Sequence, residues 1–423
     1  MNLSKTDPLI YTYLRKEEER QREQLQMIPS ENYTSKAVQR AVGSVLMNKY
    51  SEGQVGKRYY QGNQYIDLIE KLTKERALKL FDLDPKDWGV NVQAVTGSIA
   101  NMAVYGALIE PGDTIMGMFL YHGGHLSHGW QLPDGKKVSF TSKVYKPVYY
   151  YVDPASNTFD YDEVEKVALK NNPKIIISGG TAYPREIDHA RMRKIADKVG
   201  AYYMADIAHE AGLVAAKVNA SPFEYAHVVT MTTRKTLRGP VGSIIFARKE
   251  FIQAINRSVF PGMQGGPQNH SIAGIGVALE EALQPEFKSY ARKILKNAQM
   301  LASELVNKGY AVSSGGTDKH LVLVNLENKG LTGKEAAIAL EKANIIVNAN
   351  TVPGSDAKPM NPSGIRLGSP ALTSRGMNEE HMKRIVRWID EVITNYEDES
   401  VQERVADEVQ KFAIQFTVPG LDD

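Results

Sequence analysis

The stretch KIIISGGTAYPREIDHARMRKIADKVGAYYMADIAHEAGLVAAKVNASPFEYAHVVTMTTRK, residues 174–235, decides the fold. Lys174–Ser178, Tyr202–Ala205 and Val228–Met231 are short apolar runs, the pattern of strands buried on both faces. Ala190–Val199 separates the first two with apolar residues at helical spacing. Strand–helix–strand units of this kind predict an α/β domain with a mostly parallel sheet. In such sheets ligands collect at the carboxyl ends of the strands, where this sequence has Thr181, Asp206, His209 and Lys235.

Downstream, HVVTMTTRKTLRGPVGS (His227–Ser243) carries Lys235 just past its strand, with a turn forced by Arg238-Gly239-Pro240. Arg234 adjoins the lysine, and two neighbouring cations repel unless an anion lies between them. The pair is open to two readings. One is a basic surface turn; the other is a lysine that forms an imine while the second cation lowers its pKa and holds an anionic group.

Upstream, WGVNVQAVTGSIANMAVYGALI (Trp88–Ile109) predicts a strand over Asn91–Val95, a turn at Thr96-Gly97-Ser98 and a helix over Ile99–Ile109. Hydroxyls and a glycine at a helix start suit a phosphate, or serve simply as a cap. Pro111–Gly129 predicts a strand, Thr114–Leu120, and a loop with His122, His125 and His128. Gly123 and Gly124 argue against one helical metal face, and no carboxylate is placed with these rings in the sequence. One ring stacked on a flat ligand, the others structural, is preferred, and no metal is predicted. Asp206-Ile-Ala-His209 admits half a metal site or part of a Ser-His-Asp set, but no G-x-S-x-G elbow accompanies it. Lys235, Asp206 and Thr96–Ser98 together meet three needs of pyridoxal 5′-phosphate: an imine lysine, a carboxylate for the ring nitrogen and an anion cradle.

The whole chain has 423 residues, enough for two domains: an arm over 1–40, a large cofactor-binding domain over 41–285 and a smaller α+β domain over 286–423. A formal charge of +2 from balanced acids and bases gives no support to a nucleic-acid or membrane-surface partner. Cysteine is absent, which rules out disulfides and thiolate catalysis and fits a reducing compartment. The charged run KEEERQREQLQ and the lack of a long apolar run make a cytoplasmic protein the default expectation. Residues 8–26 suit a helical arm broken at Pro29, and Asn48–Tyr65 is a glycine-punctuated loop rich in tyrosine and charge, typical of a site or interface. In the C-terminal part, Thr332 with Glu335 reads as a capping box. Arg366, in a short strand, suits a bidentate grip on a carboxylate or a structural ion pair. Asn378–Asn395 reads as the last long helix.

SENYTS, NKYSEG, GKRYY, TGS with ANMAVY, PGDTIMGM, HGGHLSHG, DIAHEAGLVAA, VVTMTTRKTLRGP, FPGMQGGP and SGIRLG closely resemble the serine hydroxymethyltransferase family, in order from about Ile28 to the C-terminal helix. The resemblance implies a fold-type I pyridoxal-phosphate enzyme, a homodimer or dimer of dimers, that interconverts serine and glycine with tetrahydrofolate as co-substrate. By resemblance, Lys235 carries the cofactor covalently, Asp206 partners its ring nitrogen, His125 stacks on it, and Thr96, Gly97 and Ser98 hold its phosphate. Thr181 and His209 match residues near the cofactor's phenolic oxygen and the substrate. Arg366 and Ser30 match the grip on the amino-acid carboxylate, and Tyr50 and Gly266 match groups lent by a neighbouring subunit. Glu52, Tyr59, Tyr60, Leu120, Gly124, Leu126 and Asn350 fall where the family handles folate and the hydroxymethyl proton transfer.

Several positions depart from the family pattern. Arg234 stands where histidine is usual, Val241 where arginine is usual, Ala94-Val95 where Pro-His or Pro-Tyr is common, and Ala349 where a lysine often meets the folate tail. Arg234 is read as a displaced positive charge that contacts phosphate or modulates the imine. These departures keep two alternatives open on the same scaffold: α-methylserine hydroxymethyl transfer, and folate-independent aldol cleavage or transaldolation of β-hydroxy amino acids.

Overall fold

All four residues of Ile175–Ser178 are buried, as are four of Tyr202–Asp206 and four of Val228–Thr232, which is why these runs lack the alternation of a half-solvated strand. In the computed structural model, which describes residues 2–355 and 360–422, they form the centre of a seven-stranded sheet. Its strands are β1 (Trp88–Asn91), β2 (Thr114–Met118), β3 (Lys146–Tyr150), β4 (Ile175–Ser178), β5 (Tyr202–Asp206), β6 (Val228–Thr232) and β7 (Ser243–Arg248). Their spatial order is β1-β7-β6-β5-β4-β2-β3. Only β7 runs against its neighbours, pairing antiparallel with β1 and β6; the other pairs are parallel. The sheet is therefore mixed but mostly parallel, as expected of the α/β class. Its one reversal follows the short 233–242 link, which is too short for a crossover helix.

Helices α1 (Gln64–Leu80), α2 (Gly97–Leu108), α3 (Tyr161–Asn171), α4 (His189–Lys198) and α5 (Asn269–Leu283) belong to the same unit, Ala37–Arg292 with Val352–Ser355. α2 buries Ala100, Ala103, Val104 and Tyr105 in one core with Ile115, Ile175, Ile177, Met204, Val228 and Ile245 of the sheet. Its alanines let the helix backbone lie close to the strands and bring its N-terminus to their carboxyl edge. Gly179, at φ +112°, turns the chain out of β4, and a Cβ there would run into the Asp206 carbonyl. That close approach seats the β4 turn against the end of β5.

The second unit holds Met1–Lys36, Lys293–Thr351 and Asp356–Asp423. Its antiparallel sheet has the order β8-β9-β11-β10, with β8 (Ala311–Val312), β9 (Leu321–Asn325), β10 (Asn348–Asn350) and β11 (Gly364–Gly368). One core joins Leu301 and Leu305 of α6 (Pro285–Asn307), Val322 and Val324 of β9, and Leu340 of α7 (Gly333–Lys342) with Ile385 and Ile389 of α8 (Glu379–Thr394). The capping box of Thr332 and Glu335 forms at the start of α7.

Four local expectations are corrected. The arm helix ends at Glu23, not at Pro29: Leu25 and Met27 are wholly buried at a spacing of two, and Leu25–Gln26 pairs in parallel with Ile345–Ile346. The first strand is Trp88–Asn91, not Asn91–Val95, because the Asn91 side chain accepts from the Gln93 amide and turns the chain toward α2. The helix that follows begins at Gly97, with Thr96 as its cap, so the turn expected at Thr96–Ser98 is its first turn. α8 is not the last long helix: α9 (Glu399–Ala413) follows, capped by Asp398 and burying Val405, Val409 and Phe412 on one face.

Candidate active site

The carboxyl ends of β4, β5 and β6 and the N-terminus of α2 enclose a cavity of about 280 Å³. Thr96, Gly97, Ser98, His125, Thr181, Asp206, His209, Arg234 and Lys235 all line it, with Val241 and Gly242 alongside. Lys235 is 8% exposed, three residues past the end of β6, and Asp206 closes β5. The Lys235 loop is fixed by its backbone: Arg238, at φ +59°, donates its amide to the Lys235 carbonyl at 3.1 Å, and the Gly239 amide donates to Thr233 O at 2.7 Å. The Arg238 guanidinium lies 4.2 Å from the Tyr290 ring centre, a cation–π contact. Arg234 is exposed at the rim.

Asp206 is the electrostatic centre. Its Oδ2 accepts from His128 Nε2 at 3.0 Å and from Asn101 Nδ2 at 2.8 Å, and its Oδ1 accepts from the Ala208 amide at 3.0 Å. Burial raises its pKa, but the hydrogen bonds from His128, first, and Asn101 outweigh burial and hold the carboxyl well below the usual carboxylate range. His125 goes the other way. Burial first, then His128, lower its pKa to about 4, with Lys235 adding to the effect and Asp206 opposing it. These contacts correct one point of the sequence reading: a carboxylate does stand with the histidines, since Asp206, His125 and His128 offer ligand atoms within 4.8 Å of one another. His122 is elsewhere, its Nδ1 accepting from the Val152 amide at 3.3 Å beside Tyr151.

At the other wall, Thr96 caps α2 by accepting from the Ile99 amide at 3.4 Å, and the first-turn amides that follow have no carbonyl within the helix to bond. A Cβ on Gly97 would lie 2.6 Å from Thr232 Cγ2, so only glycine leaves this end open against β6. Ser243 Oγ, donating to Ala94 O at 2.7 Å, and Gln264, whose Nε2 donates to Gln93 O at 2.6 Å, hold the preceding turn. Thr181 donates from Oγ1 to Gly124 O at 3.1 Å, and Gly124 sits against the Met118 carbonyl with no room for a side chain. Leu120 is half-buried and Leu126 exposed on the same segment.

Other expected residues are not among those that line this cavity. In the same unit, Tyr50 and Tyr60 meet edge to face at 6.3 Å and Tyr59 meets Phe260 at 5.7 Å; a Cβ on Gly266 would lie 3.1 Å from the Tyr50 ring and 3.6 Å from Glu52 Cγ. Tyr50 and Tyr59 are exposed. Arg58 fastens this segment, donating to the carbonyls of Ser51 at 2.8 Å and Gly53 at 2.7 Å, on either side of Glu52, while pairing with Asp67 and the wholly buried Glu70. Arg366, Ser30 and Asn350 belong to the second unit. Arg366 is 8% exposed on β11 and donates from Nε to Asn348 Oδ1 at 3.1 Å; burial lowers its pKa to about 10, against the pull of Glu31, which leaves it a cation at neutral pH. Sequence reasoning missed Asn101, Ser127 and Thr230 and left His128 as merely structural. The available signal was a polar residue inside each of two apolar runs, IANMAVY and HVVTM.

A buried lysine, a buried ionised carboxylate and an open helix N-terminus on one cavity of an α/β sheet define an enzyme built for a flat, anionic, carbonyl-bearing cofactor. Comparison with known proteins agrees. The family model described as serine hydroxymethyltransferase matches residues 3–389. The serine hydroxymethyltransferase of Acidothermus cellulolyticus is 51% identical over 99% of this chain and 97% of its own length. That of Acidobacterium capsulatum is 48% identical over 99% and 96%, and the mitochondrial one of Kluyveromyces lactis 48% identical over 92% and 80%. The chain belongs to the serine hydroxymethyltransferase family. The cavity fits that family's cofactor on its own chemistry: Asp206 is held ionised for a ring N–H, and Gly97 keeps the amide cradle clear.

Proposed function

We propose that the chain transfers a hydroxymethyl group reversibly between serine and tetrahydrofolate, giving glycine and methylenetetrahydrofolate. The observation that carries this is the meeting of Lys235, Asp206 and the α2 N-terminus on one cavity in a chain of this family. Bound there, pyridoxal 5′-phosphate supplies an electron sink for the amino acid's α-carbon. Lys235 holds it covalently, the amides after Thr96 bind its phosphate, Asp206 keeps the proton on its ring nitrogen, and His125 covers a ring face. Arg234 adds positive charge at the rim, and Thr181 and His209 border the ring edge and the substrate.

Arg366 and Ser30 grip the substrate carboxylate, which orients the bond to be broken. Glu52 moves a proton to or from the serine hydroxyl or folate, and Tyr60 acts with it. Tyr59, Leu120, Gly124, Leu126 and Asn350 receive the folate. In this reading the enzyme is a homodimer or dimer of dimers, with Tyr50 and Gly266 serving the neighbouring copy's site; that neither is among the residues lining the Lys235 cavity supports that arrangement. Among the described residues no helix is long and apolar enough to cross a membrane. A cytoplasmic location goes with this reading, which the absence of cysteine suits. The test is glycine formation from serine with and without tetrahydrofolate. Strong dependence on folate is expected, and equal rates without it would overturn the proposal.

A further inference from the structure

Behind Asp206 the cavity wall holds a set of hydrogen bonds that none of the roles above uses. Asn101 on α2 is wholly buried, and its Nδ2 donates at 2.8 Å both to Ser127 Oγ and to Asp206 Oδ2. Thr230 on β6 donates from Oγ1 to Asn101 Oδ1 at 2.7 Å. The Asp206 carboxylate decides the amide's orientation, because the reverse would set Oδ1 against it, acceptor facing acceptor, and Thr230 then donates to the Oδ1 so placed. Ser127 has one hydroxyl proton. Its Oγ accepts from Asn101, whose amide nitrogen cannot accept, so the proton is directed to His125 Nδ1, 2.7 Å away. The backbone N–H of Ser127 donates to the same Nδ1 at 3.2 Å. Two donors converge on one ring nitrogen, which leaves the ring's single proton on Nε2.

We propose that Asn101 is a positioning residue that fixes the protonation pattern of the cavity: anchored by Thr230, it holds Asp206 as a carboxylate and, through Ser127, holds His125 as a neutral ring protonated on Nε2. The proposal deepens the reading of this cavity as a cofactor site and rests on it. The groups facing His125 agree: burial, His128 and Lys235 oppose a charge on the ring, and Asp206 alone favours one. A neutral His125 adds no further cation to a cavity that already holds Lys235 and Arg234 and is shaped for a protonated pyridine ring. One amide thereby couples the group that contacts the ring nitrogen to the group that covers the ring face.

The test uses the full-length chain carrying isotope-labelled histidine, with and without pyridoxal phosphate. Long-range nitrogen–proton spectra report the tautomer and charge of each ring, and His125→Gln assigns the signal. His125 is expected to be neutral and Nε2-protonated at neutral pH and to stay so to about pH 5. Asn101→Ala frees Ser127 Oγ to accept, so both tautomers appear, and pyridoxal phosphate binds about tenfold more weakly. Thr230→Val, which leaves Asn101 without its anchor, shows the same change in smaller degree; Thr230→Ser keeps the hydroxyl and matches the unsubstituted protein. A cationic or Nδ1-protonated His125 in the unsubstituted protein overturns the proposal. So does an unchanged His125 signal in folded Asn101→Ala or, if that variant does not fold, in Thr230→Val. Serine turnover is measured separately: its absence beside the expected spectra sinks the functional reading and leaves the proton arrangement standing.

Discussion

Gly97→Ala puts a methyl group where the structure has 2.6 Å to Thr232 Cγ2. Carbon atoms rest about 3.5–4.0 Å apart, so the pair must separate by about 1 Å. Thr232 is β-branched and its backbone is paired in β6, which leaves the free end of α2 as the part that yields. Overpacking of this size costs about 1–3 kcal/mol. The displaced end is the amide cradle, so the cost should reappear as weaker cofactor binding, about five- to 150-fold at about 1.4 kcal/mol per factor of ten. The assay is titration of cofactor-free protein with pyridoxal phosphate, followed by absorbance or protein fluorescence. Thr232→Ser removes Cγ2 and keeps the hydroxyl that donates to Ala208 O at 3.4 Å. The double variant should recover most of the lost affinity, giving a coupling of about 1 kcal/mol or more between the two sites. Binding of Gly97→Ala within twofold of the parent, or no recovery in the double variant, would refute the steric argument.

Three further outcomes are expected. Since the fold lowers the His125 pKa to about 4 from an unfolded value of 6.5, the unfolded chain takes up a proton first; stability is therefore full above about pH 6.5 and falls toward pH 4, by no more than about 3 kcal/mol, less what water in the cavity screens. Urea unfolding at the two ends of that window should show a smaller pH dependence for His125→Asn, and an equal one would count against the shift. Glu70→Ala removes a wholly buried partner of Arg58 and Lys74 and should cost about 3–5 kcal/mol by the same method, whereas a loss under about 1 kcal/mol would mean the cluster is solvated. Asp398→Ala deletes the side chain that accepts from the Ser400 and Val401 amides and should lower stability by about 1 kcal/mol, seen as an earlier urea midpoint with an unchanged slope.

The parts that could be read from sequence are those whose cause is local. A fully buried strand declares itself by an unbroken apolar run, a helix by its spacing, and a loop at a strand's end by glycine and proline, so Thr181, Asp206 and Lys235 could be set on one rim without coordinates. The misjudged boundaries were also local, but there a side chain overrode the pattern. Asn91 folds back on the Gln93 amide and ends its strand early, while α9 carries its signal openly in Asp398 and in the spacing of Val405, Val409 and Phe412. Glu70 shows a harder limit. On an amphipathic helix an acid belongs to the solvated face, yet this one is wholly buried because Arg58, Lys74 and Gln93 converge on it.

The wall behind Asp206 is of the same kind. Asn101 meets Ser127, Asp206 and Thr230 across 26, 105 and 129 residues of chain, and no periodicity encodes which polar atom will answer which. A sequence therefore names the groups that do chemistry more readily than the groups that set their charge. Lys235 stands out because Arg234 adjoins it and two neighbouring cations call for an anion, whereas Asn101 inside a run of small residues looks like a tolerated exception until its three bonds are seen. Yet burial pushes the Asp206 carboxyl upward, and what holds it down is the donors around it, His128 first, with Asn101 the nearest. The catalytic reading of the rim thus depends on residues of the wall, and substitutions there should alter the charge state of the site without touching any group that meets substrate.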